Sequence, residues 1–149
     1  MIAVIDYGRG NLGSVEKAFN RIGMPAVVTQ DSRVVDDADA VVLPGDGAFH
    51  DAMANLDRLG LLAPLRRVFA DKRPFLGICL GYQLLFTRSE EFGEGPGLDV
   101  VPGDVRRFPE GRKIPHMGWN RTRPEGTLRL FEGIPEDRKS TRLNSSHRL

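Results

Sequence analysis

Three short apolar runs, Ile2-Ala3-Val4-Ile5, Ala40-Val41-Val42-Leu43 and Pro74-Phe75-Leu76, each deliver the chain into a glycine-bearing loop. The loops are Asp6-Tyr7-Gly8, Pro44-Gly45-Asp46-Gly47 and Gly77-Ile78-Cys79-Leu80-Gly81. Runs this short and this continuously apolar read as strands buried on both faces. Between the first two, Leu12, Val15, Phe19 and Ile22 recur at spacings of three and four, the stripe of an amphipathic helix. Asn11 is its expected N-cap and Gly23 its stop. Ala26-Val27-Val28 adds another strand. Phe49, Met53, Leu56 and Leu59 mark a second helix, and Leu61, Leu62, Leu65, Val68 and Phe69 a third. Gly60 separates the two, and Pro64 is tolerated because it falls in a first turn. The alternating order predicts an α/β fold: a flavodoxin-like, mostly parallel sheet with helices on both faces. Such sheets bind ligands beyond the carboxyl ends of their strands, which is where Pro44–Gly47 and Cys79 fall.

The texture changes beyond Glu91, where glycine and proline become dense. Asp99-Val100-Val101, Val105-Arg106-Arg107-Phe108 and Lys113-Ile114 read as short strands of an antiparallel excursion. His116-Met117-Gly118-Trp119-Asn120 is an unusual cluster for a turn, and Leu128, Leu130, Phe131 and Ile134 suggest one more short element. No internal repeat or second domain is evident, so residues 1–136 read as one domain. The segment from Asp137 to Leu149 lacks apolar periodicity and reads as a disordered basic tail. It also resembles the in-frame translation of a sequencing-adapter oligonucleotide, and the preferred reading is that adapter sequence begins near Glu136. His147 is therefore given no role.

Charge and cysteine content narrow the functional classes. The net charge of +1 is uneven, because residues 137–149 hold four basic residues and one acidic; the other 136 are mildly acidic. An acidic body gives no support for nucleic-acid binding. No stretch is long and apolar enough for a bilayer span, Asp6 interrupts the only candidate leader, and the single cysteine suits a reducing compartment. A cytoplasmic protein with no cofactor or metal is expected.

Cys79 is the centre of the chemistry. A strand, a tight turn and a helix beginning toward Leu84-Leu85-Phe86 make a nucleophile elbow, with Gly77 and Gly81 placed two residues either side of the thiol. The elbow would lift the thiol clear of the sheet, at a helix N-terminus that favours thiolate. A lone cysteine is otherwise most often a buried small hydrophobe, and it is the flanking glycines that argue against that.

Asp6-Tyr7-Gly8 with Gly10-Asn11-Leu12, then LPGDGAF (43–49), GICLGYQLLF (77–86) and KIPHMGWN (113–120), resemble class I glutamine amidotransferases. Within them they resemble the glutaminase subunits of imidazole glycerol phosphate synthases of histidine biosynthesis, KIPHMGWN being the segment that selects this branch. The resemblance runs from residue 1 to about Ile134 and implies that fold, incomplete at the C-terminus. It implies glutamine as substrate, Cys79 as the nucleophile, and a (β/α)8-barrel cyclase as heterodimeric partner. Attack on the amide forms a thioester through an oxyanion that needs fixed N–H donors. The elbow and the resemblance both nominate the Leu80 N–H. The resemblance adds the peptide Gly45–Asp46, which would turn to supply the second donor, and assigns Gly47 and Gln83 to substrate glutamine. Without it, the Pro44–Gly47 loop is an ordinary glycine turn and Gln83 a solvated helix residue.

Two departures stand out. Asp46 replaces a commonly apolar residue, and its carboxylate is expected to point to solvent, away from a developing oxyanion; Tyr82 replaces a common methionine. A cysteine nucleophile also wants a histidine base oriented by a carboxylate. In the family these lie nearer the C-terminus, and none of His50, His116 and His147 inherits the role. The 149-residue chain is thus expected to be inactive. Another cysteine hydrolase of the same fold, or a binding module with an unreactive Cys79, are the competing readings.

Overall fold

The computed structural model describes residues 1–109, 111, 116–122, 132, 138–144 and 146–148. Residues 1–106 contain a four-stranded sheet of order β2-β1-β3-β4, parallel throughout, made by β1 (Ile2–Ile5), β2 (Ala26–Thr29), β3 (Ala40–Leu43) and β4 (Phe75–Gly77). Strand residues alternate between faces, and helices pack on both faces, but β4 is not buried on both as its apolar run suggests: Leu76 of this edge strand is exposed. Ile2, Val4 and Val42 meet Leu12, Val15 and Phe19 of α1 (Leu12–Arg21). On the opposite face Ala3, Ile5, Val41 and Leu43 meet the buried residues of three helices: Val35 of α2 (Ser32–Asp37), Phe49, Ala52 and Leu56 of α3 (Phe49–Arg58), and Leu65 and Val68 of α4 (Leu62–Ala70). This is the α/β arrangement that the alternating runs predict.

Helix ends follow local chemistry. The Asn11 side chain accepts from the Ser14 N–H at 3.2 Å, capping α1, and Gly23 leaves the helix at φ +76°. Gly60, at φ +68°, separates α3 from α4. The helix α2 was not expected, because Val34 and Val35 alone make no stripe. It is held from outside: Asp31 accepts from the Arg33 N–H at 2.9 Å at its start. At its end the Arg73 guanidinium reaches the carbonyls of Val35, Asp36 and Ala38 at 2.9, 2.9 and 2.8 Å. Those are carbonyls that a helix end leaves without partners.

Two expectations need correction. The helix after Cys79, α5, is the single turn Leu80–Gln83, and Leu84-Leu85-Phe86 does not start a helix: Phe86 opens strand β5 (Phe86–Ser89). The excursion beyond it is mixed rather than antiparallel. Strand β6 (Gly95–Pro96) pairs antiparallel with β5, whereas β7 (Val101–Arg107) runs parallel to β5. The chain doubles back once through β6 and then crosses to the other edge of β5, so β7 ends up parallel to it.

Residues 107–147 form a second compact unit. In it β8 (His116–Thr122) pairs antiparallel with β9 (Arg138–Asn144), from His116 opposite Asn144 to Thr122 opposite Arg138. His116–Asn120, unusual for a turn, therefore lies in a strand, and β9 falls in the segment that reads as a tail. A short strand β10 (Ser146–Arg148) follows. Lys113, Ile114, Leu128, Leu130, Phe131 and Ile134 lie outside the described residues.

Candidate active site

Register brings the two loops of interest side by side. Leu43, the last residue of β3, pairs with Gly77, the last of β4, so the Pro44–Gly47 loop and the Cys79 turn leave the same edge of the sheet together. The Ile78 N–H donates to the Leu43 carbonyl at 3.0 Å, continuing the ladder up to the cysteine.

Cys79 is exposed and adopts φ +55°, ψ −115°, a backbone conformation that side chains other than glycine's rarely occupy. Such strain persists only where the surroundings enforce it, and the two flanking glycines are part of that enforcement. Neither has a positive φ; each is needed for close approach of the chain to itself. A Cβ on Gly77 would fall 2.7 Å from Tyr82 Cα and 2.8 Å from its nitrogen, and one on Gly81 would run into the Leu43 carbonyl oxygen. The turn is thus pressed between its own helix and the end of β3. Above it, Gln83 and Tyr82 both donate backbone N–H groups to the Cys79 carbonyl, at 3.2 and 3.0 Å.

The Pro44–Gly47 loop changes environment along its length: Pro44 and Gly45 are buried, Asp46 and Gly47 exposed. Exposure of Asp46 accords with a carboxylate directed to solvent. Gly45 is packed against α5, since a Cβ there would lie 3.0 Å from the Gly81 nitrogen and 3.1 Å from Leu80 Cβ. Among the described residues, neither the Leu80 nor the Asp46 N–H donates a hydrogen bond. The residues proposed from sequence as nucleophile and oxyanion donors are therefore adjacent, with their N–H groups uncommitted. Gly47 sits beside the Arg9 guanidinium, whose Nη1 lies 3.0 Å from where a Cβ would be; Gln83 is half-buried on α5.

Two residues of the site escaped sequence reasoning. Arg9 bridges to Asp51 of α3 at 3.1 Å, tying the β1–α1 loop to the helix that follows the Pro44–Gly47 loop. Tyr7 is fully buried, and its hydroxyl has no hydrogen-bond partner. That hydroxyl lies directly against Gly45, where an added Cβ would collide with it. Burial pushes the phenol well above its ordinary value, the nearby Asp46 and Cys79 add to the rise, and Arg9 opposes it. An aromatic at a strand exit looks in sequence like any core residue; only the Cβ-free Gly45 hints that something approaches it.

His50 is half-buried at the start of α3, its ring against Gly95 of β6 and its Nε2 buried without a partner. Among the described residues no group of three or more His, Cys, Asp or Glu side chains is placed to hold a metal.

Comparison with known proteins gives a consistent picture. The family model described as glutamine amidotransferase class-I matches residues 3–147. Imidazole glycerol phosphate synthase subunit HisH of Moorella thermoacetica is 56% identical over 134 residues, covering 90% of this chain and 64% of that protein. The protein of the same name from Geobacter metallireducens is 58% identical over 126 residues, covering 80% and 60%. The chain thus spans somewhat under two thirds of the length of these curated relatives. A solved glutamine amidotransferase superposes with a TM-score of 0.67 at 19% identity, over 81% of this chain and 64% of that one. A putative GMP synthase protein from Thermoplasma acidophilum does so at 0.61 and 20%, over 99% and 64%. At such identities these two speak for the fold alone.

Proposed function

The chain belongs to the class-I glutamine amidotransferase family, and from that premise we propose that the whole protein is the glutaminase subunit of an imidazole glycerol phosphate synthase. It hydrolyses glutamine to glutamate and hands the ammonia to a (β/α)8-barrel cyclase, with which it forms a heterodimer in the cytoplasm. The reading is supported by relatives of that name at 56% and 58% identity. The observation that carries it is an exposed cysteine at φ +55°, on a turn between a parallel strand and a helix.

In this reading the Cys79 thiolate attacks the side-chain amide carbon of glutamine. The oxyanion is held by the Leu80 N–H and by the Asp46 N–H once the Gly45–Asp46 peptide has turned. Collapse of the tetrahedral species breaks the C–N bond, releases ammonia and leaves a thioester at Cys79, which water hydrolyses to glutamate. Gly47 and Gln83 hold the substrate. A tight partner makes physical sense, because ammonia loses its nucleophilic lone pair to protonation in neutral bulk water; a sealed passage avoids that.

A chloroketone analogue of glutamine tests the chemistry. It should alkylate Cys79 with saturating kinetics that free glutamine competes away, whereas iodoacetamide should react without saturation. Labelling by the analogue that neither saturates nor responds to glutamine would place Cys79 in some other hydrolase, and no labelling by either reagent would make it the unreactive thiol of a binding module.

A further inference from the structure

The Tyr7 hydroxyl has no place in the chemistry above, yet it occupies the seam between the two halves of the site. It is buried, it has no hydrogen-bond partner, and it lies against Gly45, where an added Cβ would collide with it. A buried donor left without an acceptor is costly, and a phenylalanine would fill the same volume without that cost.

The geometry of a peptide unit suggests what the hydroxyl is for. The unit is planar and trans, so its N–H and its C=O point in opposite directions. If the Gly45–Asp46 peptide turns its N–H toward a bound amide on the exposed side, the Gly45 carbonyl must swing to the buried side. A buried carbonyl needs a donor. The Tyr7 hydroxyl is the group that lies there against Gly45.

We propose that Tyr7 is a positioning residue for the oxyanion loop: its hydroxyl waits unpartnered beneath Gly45 and donates to the Gly45 carbonyl when the Gly45–Asp46 peptide turns, holding the Asp46 N–H on the oxyanion. The proposal rests on the glutaminase reading and adds to it a residue that acts through the Gly45–Asp46 peptide. Burial keeps the phenol protonated, and so a donor, through the alkaline range in which a cysteine ionises unaided.

That last point allows a test on the chain as it stands, run at about pH 9, above the ordinary value of about 8.5 for a free thiol. Tyr7→Phe and wild type are compared for Cys79 labelling by the glutamine chloroketone, for labelling by iodoacetamide, and for thermal midpoint. Loss of one hydrogen bond made only in the turned state should lower the limiting rate of chloroketone labelling about tenfold. The half-saturating concentration should stay within about twofold, the iodoacetamide rate should not change, and the midpoint should be equal or higher, because an orphaned hydroxyl has been removed. An unchanged limiting rate overturns the proposal. So does a parallel fall with iodoacetamide, which would put the effect on the thiol itself, or a lowered midpoint, which would mean that the hydroxyl already serves the resting fold. Wild-type labelling that fails to saturate is a different result: it removes the glutaminase reading, and this inference with it.

Discussion

Replacing Cys79 by glycine should make the protein more stable while removing its reactive group. At φ +55°, ψ −115° the cysteine backbone is strained by about 1–3 kcal/mol, whereas glycine occupies this region without steric cost. Glycine's greater freedom in the unfolded chain takes back about 0.5–1 kcal/mol. The exposed side chain contributes little buried area to lose. The proper reference is Cys79→Ala, which also deletes the sulfur but keeps a Cβ and therefore the strain. Cys79→Gly should exceed Cys79→Ala by about 1–2 kcal/mol, or roughly 3–6 °C in Tm for a chain of this size. Urea titration with a shared m-value measures the difference. Equal stability of the two variants would refute the reasoning, since it would mean that the turn relaxes at no cost and is not forced by Tyr82 and the end of β3.

Arg73→Ala should destabilise the fold by about 2–3 kcal/mol, because it strips a charged donor from three carbonyls at the end of α2; a loss under about 0.5 kcal/mol by urea titration would show that water replaces it freely. Asp36 is held below its ordinary value of 3.8 by hydrogen bonds from Arg67. A carboxylate depressed in the folded state contributes stability above the unfolded value and loses it as pH falls through the folded one. Arg67→Ala should therefore lower stability more at pH 7 than at pH 3, and equal losses at the two pH values by urea titration would contradict the assignment. Finally, the 149-residue chain should release ammonia from glutamine no faster than its Cys79→Ser variant in a coupled glutamate assay. None of its three histidines is assigned the base's role, and turnover above that background would mean one of them, or another group, acts as base.

The parts of the fold legible in sequence are those specified locally. The strands β1, β2 and β3 announce themselves as β-branched runs, and α1 by a stripe with Asn11 before it and Gly23 after it. The six-residue α2 is invisible because its support comes from Arg73, distant in sequence, and its single buried side chain makes no period. Leu84-Leu85-Phe86 misleads for a related reason: three consecutive apolar residues fit a buried helix as well as an approach to a strand, and pairing with β7 decides it. Pairing also decides the mixed character of the second sheet. At the site, Gly77 and Gly81 point to Cys79 because an elbow needs close backbone approach at both places. Tyr7 and Arg9 were not legible, since what matters about them is contact between loops of β1 and β3, over thirty residues apart in sequence.

The loop from Pro44 to Gly47 is anchored at both ends. Ladder pairing of Leu43 fixes its start, and the first turn of α3 fixes its exit, where the Phe49 N–H donates to the Glu91 carboxylate at 3.0 Å. With its ends pinned, a peptide between them can rotate only as a crankshaft, by equal and opposite changes in the ψ before it and the φ after it. Movement of that kind displaces almost no neighbouring mass. On the proposed reading, the switch between resting and oxyanion-binding geometry would be confined to one amide, leaving the cysteine and the sheet edge where they stood.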